Sequence, residues 1–178
     1  MALGKDAKMT IKLLGLIFIV FSCGAFGFLI AYSYRREANS MQQLIYALEF
    51  MECELAYRLT PLPELCRMTA KASNGIVRSL FIELAYELEN QISPDVEHCM
   101  QCVLSKHSRT PKMVDAIMCR LGKTLGRFDM EGQLKGISSV RQSCQSNLTH
   151  YQINQEPKLR SYQTLGLCAG AAIAILML

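Results

Sequence analysis

The chain has 178 residues, of which 51% are hydrophobic and 19% charged, with a formal net charge of +4; that is enough for one domain plus apolar segments. Residues 34–161 hold 16 of the 19 Lys and Arg and 14 of the 15 Asp and Glu, leaving +2 in that stretch. Charge this balanced argues against a nucleic-acid surface, which needs one-sided positive charge.

A short tail, residues 1–12, carries Lys5, Lys8 and Lys12. It leads into residues 13–33, an uncharged run from Leu13 to Ser33. At about 1.5 Å per residue this run matches the roughly 30 Å of a hydrocarbon core, and it is predicted to be a transmembrane helix. Val20-Phe21-Ser22-Cys23 loosely resembles a lipoprotein cleavage box. Cleavage there would leave the apolar stretch from Gly24 to Tyr32 in water, so a retained anchor is the reading adopted.

After Arg36 the spacing becomes that of an amphipathic helix. Met41, Leu44/Ile45, Leu48, Met51, Leu55 and Leu59 recur three and four residues apart, with Gln42, Gln43, Glu49, Glu52 and Glu54 mostly filling the other side. No Pro or Gly separates this pattern from the anchor, so one long helix is expected. Thr60-Pro61-Leu62-Pro63-Glu64 stops it, with Thr60 as cap and Pro61 as first residue of the next helix, which runs to about Ala72. Ser73-Asn74-Gly75 breaks the chain again.

A third helix, about 76–90, carries Leu80, Phe81, Leu84, Ala85 and Leu88 on one stripe. Ser93-Pro94 and Thr110-Pro111 repeat the cap-plus-proline start and open helices to about Ser105 and Leu125. Gly126 is expected to terminate the latter and Asp129 to cap a last long helix to about Gln155. Pro157 suggests a kink or a boundary before the second uncharged run, residues 162–178. At 17 residues this second predicted transmembrane helix is near the short limit for a span. The pattern gives an all-α antiparallel helical bundle, residues 34–161, flanked by N- and C-terminal transmembrane helices.

Lys158 and Arg160 on the near side of the second anchor favour a cytoplasmic bundle. So does cysteine usage, since Cys53, Cys66, Cys119 and Cys144 are isolated at helical positions as buried free thiols would be.

His98-Cys99-x-x-Cys102, near His107, is the one pattern hinting at metal or redox chemistry. It supplies only two ligands of the four that zinc takes, and it lies within a helix of a chain without strands. Two cysteines on a core-facing helix are the plainer reading. A thiol- or zinc-dependent sensor using Cys99 and Cys102 is the alternative function. No catalytic constellation and no phosphate loop is present, His98 and His150 read as surface or cap residues, and no enzyme activity, cofactor or metal site is expected. Asn147-Leu148-Thr149 fits the glycosylation pattern but falls in a cytoplasmic helix. Gly166-x-x-x-Gly170 in the second anchor is a close-packing motif for membrane helices, either with Cys23 and Gly27 of the first anchor or with another subunit. Glu64, Lys123, Arg127 and Asp129 lie in turns that form a candidate partner-binding tip; structural turn chemistry is the competing reading.

Four groups of residues together resemble the stage III sporulation protein AB family of endospore-forming bacteria. They are Lys12-Leu13-Leu14-Gly15; Gln43-Leu44, Ala47-Leu48, Glu54 and Thr60-Pro61-Leu62; Leu121-Gly122, Leu125-Gly126, Asp129 and Gln133; and Lys158 with Tyr162-Gln163-Thr164-Leu165-Gly166 and Gly170. The chain departs from the family in its cysteines and at Leu59, where glycine is usual. The resemblance implies a fold like type II secretion protein F and a place in the mother-cell membrane around the forespore. It implies a non-enzymatic platform in a secretion-like channel, contacting the stage III sporulation protein AA ATPase and the other stage III channel proteins. A homo-oligomer is compatible with it. The assembly would support late sigma-factor activity in the forespore.

Overall fold

The computed structural model describes the backbone of residues 3–58, 60–90, 95–126 and 129–177; it describes side chains at 29, within 32–154 apart from the same gaps, and at 164 and 168. Six helices make up the described chain: α1 (Leu3–Arg58), α2 (Leu62–Ala72), α3 (Gly75–Glu89), α4 (Val96–Lys106), α5 (Lys112–Thr124) and α6 (Met130–Met177). The all-α expectation holds. Two compact units are present: Glu37–Tyr151, and Met1–Arg36 with Gln152–Leu178.

Helix α1 is continuous, as the missing Pro and Gly led one to expect. Helix α6 is also continuous, and no boundary falls at Pro157. The apolar run 13–33 falls in α1 and residues 162–177 of the second run fall in α6; the packing expected at Gly166 and Gly170 lies outside the described residues. Among the described residues no helix is long and apolar enough to cross a membrane.

Within Glu37–Tyr151, α1 and α6 run antiparallel. Arg141 of α6 bonds Glu52 of α1 at 3.1 Å, and Tyr151 bonds Glu37 at 2.8 Å, so numbering falls on one helix as it rises on the other. Arg67 of α2 pairs with Glu89 of α3. Lys106 and His107 at the end of α4 meet Glu87 and Glu83 of α3 at 2.6 and 2.8 Å. The Glu87 side chain is buried while Lys106 reaches water, and the hydrogen bond between them raises the Lys106 pKa.

The core collects the stripes anticipated from periodicity. Met41, Leu44, Leu48, Met51 and Leu55 of α1 join Leu80, Phe81, Leu84 and Ala85 of α3, with Ile117, Met118 and Leu121 of α5 and Ile137, Val140 and Cys144 of α6. Leu88 is partly buried against this cluster, and Leu59 lies outside the described residues.

The helix starts differ from expectation by one residue. Pro61 and Pro111 occupy the cap positions, with ψ of 144° and 136°, and their carbonyls accept from Leu65 and Asp115. Proline fixes φ but leaves ψ free, so it serves before the helix as readily as within it. Neither helix has a side-chain cap. The Thr110 hydroxyl instead donates back to the His107 carbonyl at 2.8 Å. Ser93-Pro94 lies outside the described residues; α4 starts after Asp95, whose carboxylate accepts from the Glu97 amide at 3.3 Å.

Candidate functional site

The residues proposed as a binding tip sit at helix ends, and most already have structural tasks. Asp129 caps α6: its Oδ1 accepts from the Gly132 amide at 3.2 Å and its carbonyl from Gln133 at 2.9 Å. Glu64 lies 3.6 Å from Arg67 within α2. Lys123 is exposed and reaches to 3.8 Å from Glu97. Arg127 lies outside the described residues.

The Leu121–Asp129 segment is built for close packing. Leu121 and Leu125 are fully buried. Between them, Gly122 lets α5 approach α4: an added Cβ would stand 2.8 Å from the Met100 Cβ and 3.5 Å from the Glu97 Cα. Gly126 has φ of +80°, the left-handed conformation that ends many helices. Across the turn, a Cβ on Gly136 would collide with the Thr124 Cγ2. The two Leu-Gly pairs are thus explained by packing and turn geometry. Among the segment's described residues, Lys123, Gly126 and Asp129 are exposed.

Beside this turn, a groove of about 400 Å³ runs between the end of α1 and the start of α6, lined by Glu52, Cys53, Ala56, Tyr57, Leu134, Lys135 and Ser138. Sequence reasoning missed it, because it assigned the outer side of α1 to Gln and Glu. Tyr46, Cys53 and Tyr57 are exposed there and Phe50 is half-buried. Their spacing of four, three and four residues was the signal available.

The cysteines divide by environment. Cys66, Cys99 and Cys144 are buried, Cys102 and Cys119 are half-buried, and Cys53 is exposed, contrary to its expected place in the core. All are free thiols. His98 and His150 are exposed. Among the described residues no three His, Cys, Asp or Glu side chains gather where they could hold a metal ion, and Cys99 and Cys102 stand on α4 with one side chain in the core and the other at its margin.

Burial pushes the Cys66 thiol up to about 12 and the Cys144 thiol to about 11. Thiolate is the reactive form, so at pH 8 alkylation of Cys66 in the native protein should be about 1,000-fold slower than in the urea-unfolded chain, and Cys144 about 100-fold slower. Native-state rates equal to unfolded rates would show these sites to be open. Because both folded values lie above the unfolded value near 9, the corresponding stabilisation is complete below about pH 9 and is lost as pH rises toward 11 and 12.

The family model described as stage III sporulation protein AB matches residues 12–178. Stage III sporulation protein AB of Bacillus subtilis (strain 168) is 26% identical over 171 residues, covering 94% of this chain and 99% of the relative. A solved structure of a stage III sporulation protein AB superposes with a TM-score of 0.61 at 23% identity, covering 68% of this chain and 98% of that one. At that identity the structural likeness carries the fold.

Proposed function

The chain belongs to the stage III sporulation protein AB family, and from that premise we propose that it is a non-enzymatic platform in a sporulation-specific, secretion-like channel between mother cell and forespore. Family membership itself gives a sporulation-related role. The platform reading is supported chiefly by the extent of the family match, which spans both apolar runs and the whole helical body rather than a fragment of either.

In this reading residues 13–33 and 162–178 are transmembrane helices in the mother-cell membrane that surrounds the forespore. The Glu37–Tyr151 body faces the mother-cell cytoplasm. There its antiparallel, ion-pair-linked helices form a rigid part that receives conformational work from the stage III sporulation protein AA ATPase and passes it to the other stage III channel proteins. Gly166 and Gly170 pack membrane helices within the assembly or between copies. The channel in turn supports late sigma-factor activity in the forespore.

The contact with the ATPase is assigned to the helix ends and turns around Glu64, Lys123, Arg127 and Asp129. A charge-altered pair, Arg127→Glu with Asp129→Asn, tests it. Asparagine retains the cap on α6 while removing its charge, so the fold is spared. Recruitment of the ATPase to membranes carrying this variant should fall by roughly tenfold, as the loss of about 1.4 kcal/mol of interface energy would give. Unchanged recruitment, with the circular dichroism spectrum intact, would reject these turns as the contact.

A further inference from the structure

From the outer face of α1, we infer that Tyr46, Phe50, Cys53 and Tyr57 form a docking seam for one amphipathic partner helix whose flanks carry Lys or Arg. The inference stands apart from the ATPase contact placed on the turns. Helix α1 has two apolar stripes. At 100° per residue, Leu44, Leu48, Met51 and Leu55 point one way into the core, and Tyr46, Phe50, Cys53 and Tyr57 point about 160° away from them. A helix covering one side of a bundle ordinarily turns a polar face outward. Here the outward face has Tyr46 55% exposed and Tyr57 86% exposed, with Cys53 exposed between them. Single exposed apolar residues need no explanation, but three exposed and one half-buried, aligned on one stripe and continuous with the α1/α6 groove, do.

The steps of four, three and four residues are those of coiled-coil core positions d, a, d and a. The matching occupant is therefore another helix with its own apolar seam. Tyrosine suits such a surface, since its ring packs while its hydroxyl remains wet. The Tyr46 hydroxyl already accepts from Gln42 Nε2 at 3.3 Å.

Charge chooses between helices. In this register Glu49 and Glu54 fall at the positions flanking the seam. Glu54 is near Arg58 at 3.9 Å, Glu52 is held by Arg141, and on the α6 wall Lys135 is held by Glu131 at 2.6 Å. Glu49 is exposed. A second copy docked in parallel would set Glu49 against Glu54, and an antiparallel copy would set like flank against like flank. A partner with basic flanks meets the exposed Glu49 favourably, with Glu54, 16% of whose side chain is exposed, adding charge of the same sign behind it.

The test uses the full-length protein in a non-ionic detergent and two fluorescent synthetic peptides. Each is a short amphipathic helix with Leu at a and d; one has Lys at e and g, the other Glu. The Lys peptide should bind at least about tenfold more tightly than the Glu peptide, a difference of about 1.4 kcal/mol. Tyr57→Ser should weaken the Lys peptide about tenfold, and Glu49→Lys, at the exposed flank, should abolish the preference. Ile82→Ser, on the exposed side of α3, should leave binding unchanged. These exposed substitutions leave the core intact, so folding does not confound them. Equal binding of both peptides, indifference to Tyr57→Ser, or bismaleimide linkage of Cys53 to Cys53 between two copies of the wild-type chain would each overturn the inference.

Discussion

Phe81→Ala should lower the stability of the helical body by about 4 kcal/mol, whereas Ile82→Ala, at the next position, should cost less than about 1 kcal/mol. The two residues share a helix, and their side chains are of comparable size. Phe81 is fully buried, while Ile82 is 48% exposed. Truncating Phe81 loses the transfer energy of a buried ring and leaves a void that its neighbours can only partly fill, a combination that typically costs 3–5 kcal/mol. A domain of this size has about 5–15 kcal/mol in total, so Phe81→Ala would leave it marginal. Urea titration of the full-length protein in detergent, followed by circular dichroism, should show the midpoint falling by about 2 M at an m-value near 2 kcal/mol per M. Similar midpoints for the two variants would mean that α3 does not face the core as described.

That contrast was legible in the amino-acid sequence, because the α3 stripe of Leu80, Phe81, Leu84 and Ala85 follows directly from a period of 3.6. The same holds for the inner stripe of α1. Periodicity reports which residues share a face, but not how many faces are apolar once a helix carries two stripes. The core-facing Leu44-to-Leu55 set is the stronger signal, and Tyr46, Phe50, Cys53 and Tyr57 obey the same spacing on the opposite side. Cap positions failed for a different reason. A Thr-Pro pair announces a helix start, but the choice between Thr60 and Pro61 depends on ψ at the proline, which local composition does not set. At Thr110 the hydroxyl was taken by the preceding turn. Gly126 and Asp129 were readable as stop and cap because each acts locally. The need for glycine at 122 and 136 was hidden, since it arises from Met100 and Thr124, which only the folded chain brings near.

That hidden requirement yields the second large effect. Gly122→Val should destabilise the body by about 3 kcal/mol, and Gly122→Ala by about 2. A glycine inside a helix ordinarily costs about 1 kcal/mol relative to alanine, so replacing it would normally stabilise. Here the new Cβ would stand 2.8 Å from Met100 Cβ and 3.1 Å from Met100 Cγ. Rotating the Met100 side chain moves its Cγ but not its Cβ, so α4 and α5 must separate, and overpacking of this kind costs 1–3 kcal/mol. Valine adds a branched side chain that helices disfavour. The cause can be isolated with a double-mutant cycle. Met100→Gly alone should cost about 4 kcal/mol through its lost core side chain and the helix penalty. Combined with Gly122→Ala it should cost at least about 1 kcal/mol less than the sum, because the opposing Cβ is then absent. Strict additivity would show that Gly122 is required for some reason other than the approach of α5 to α4.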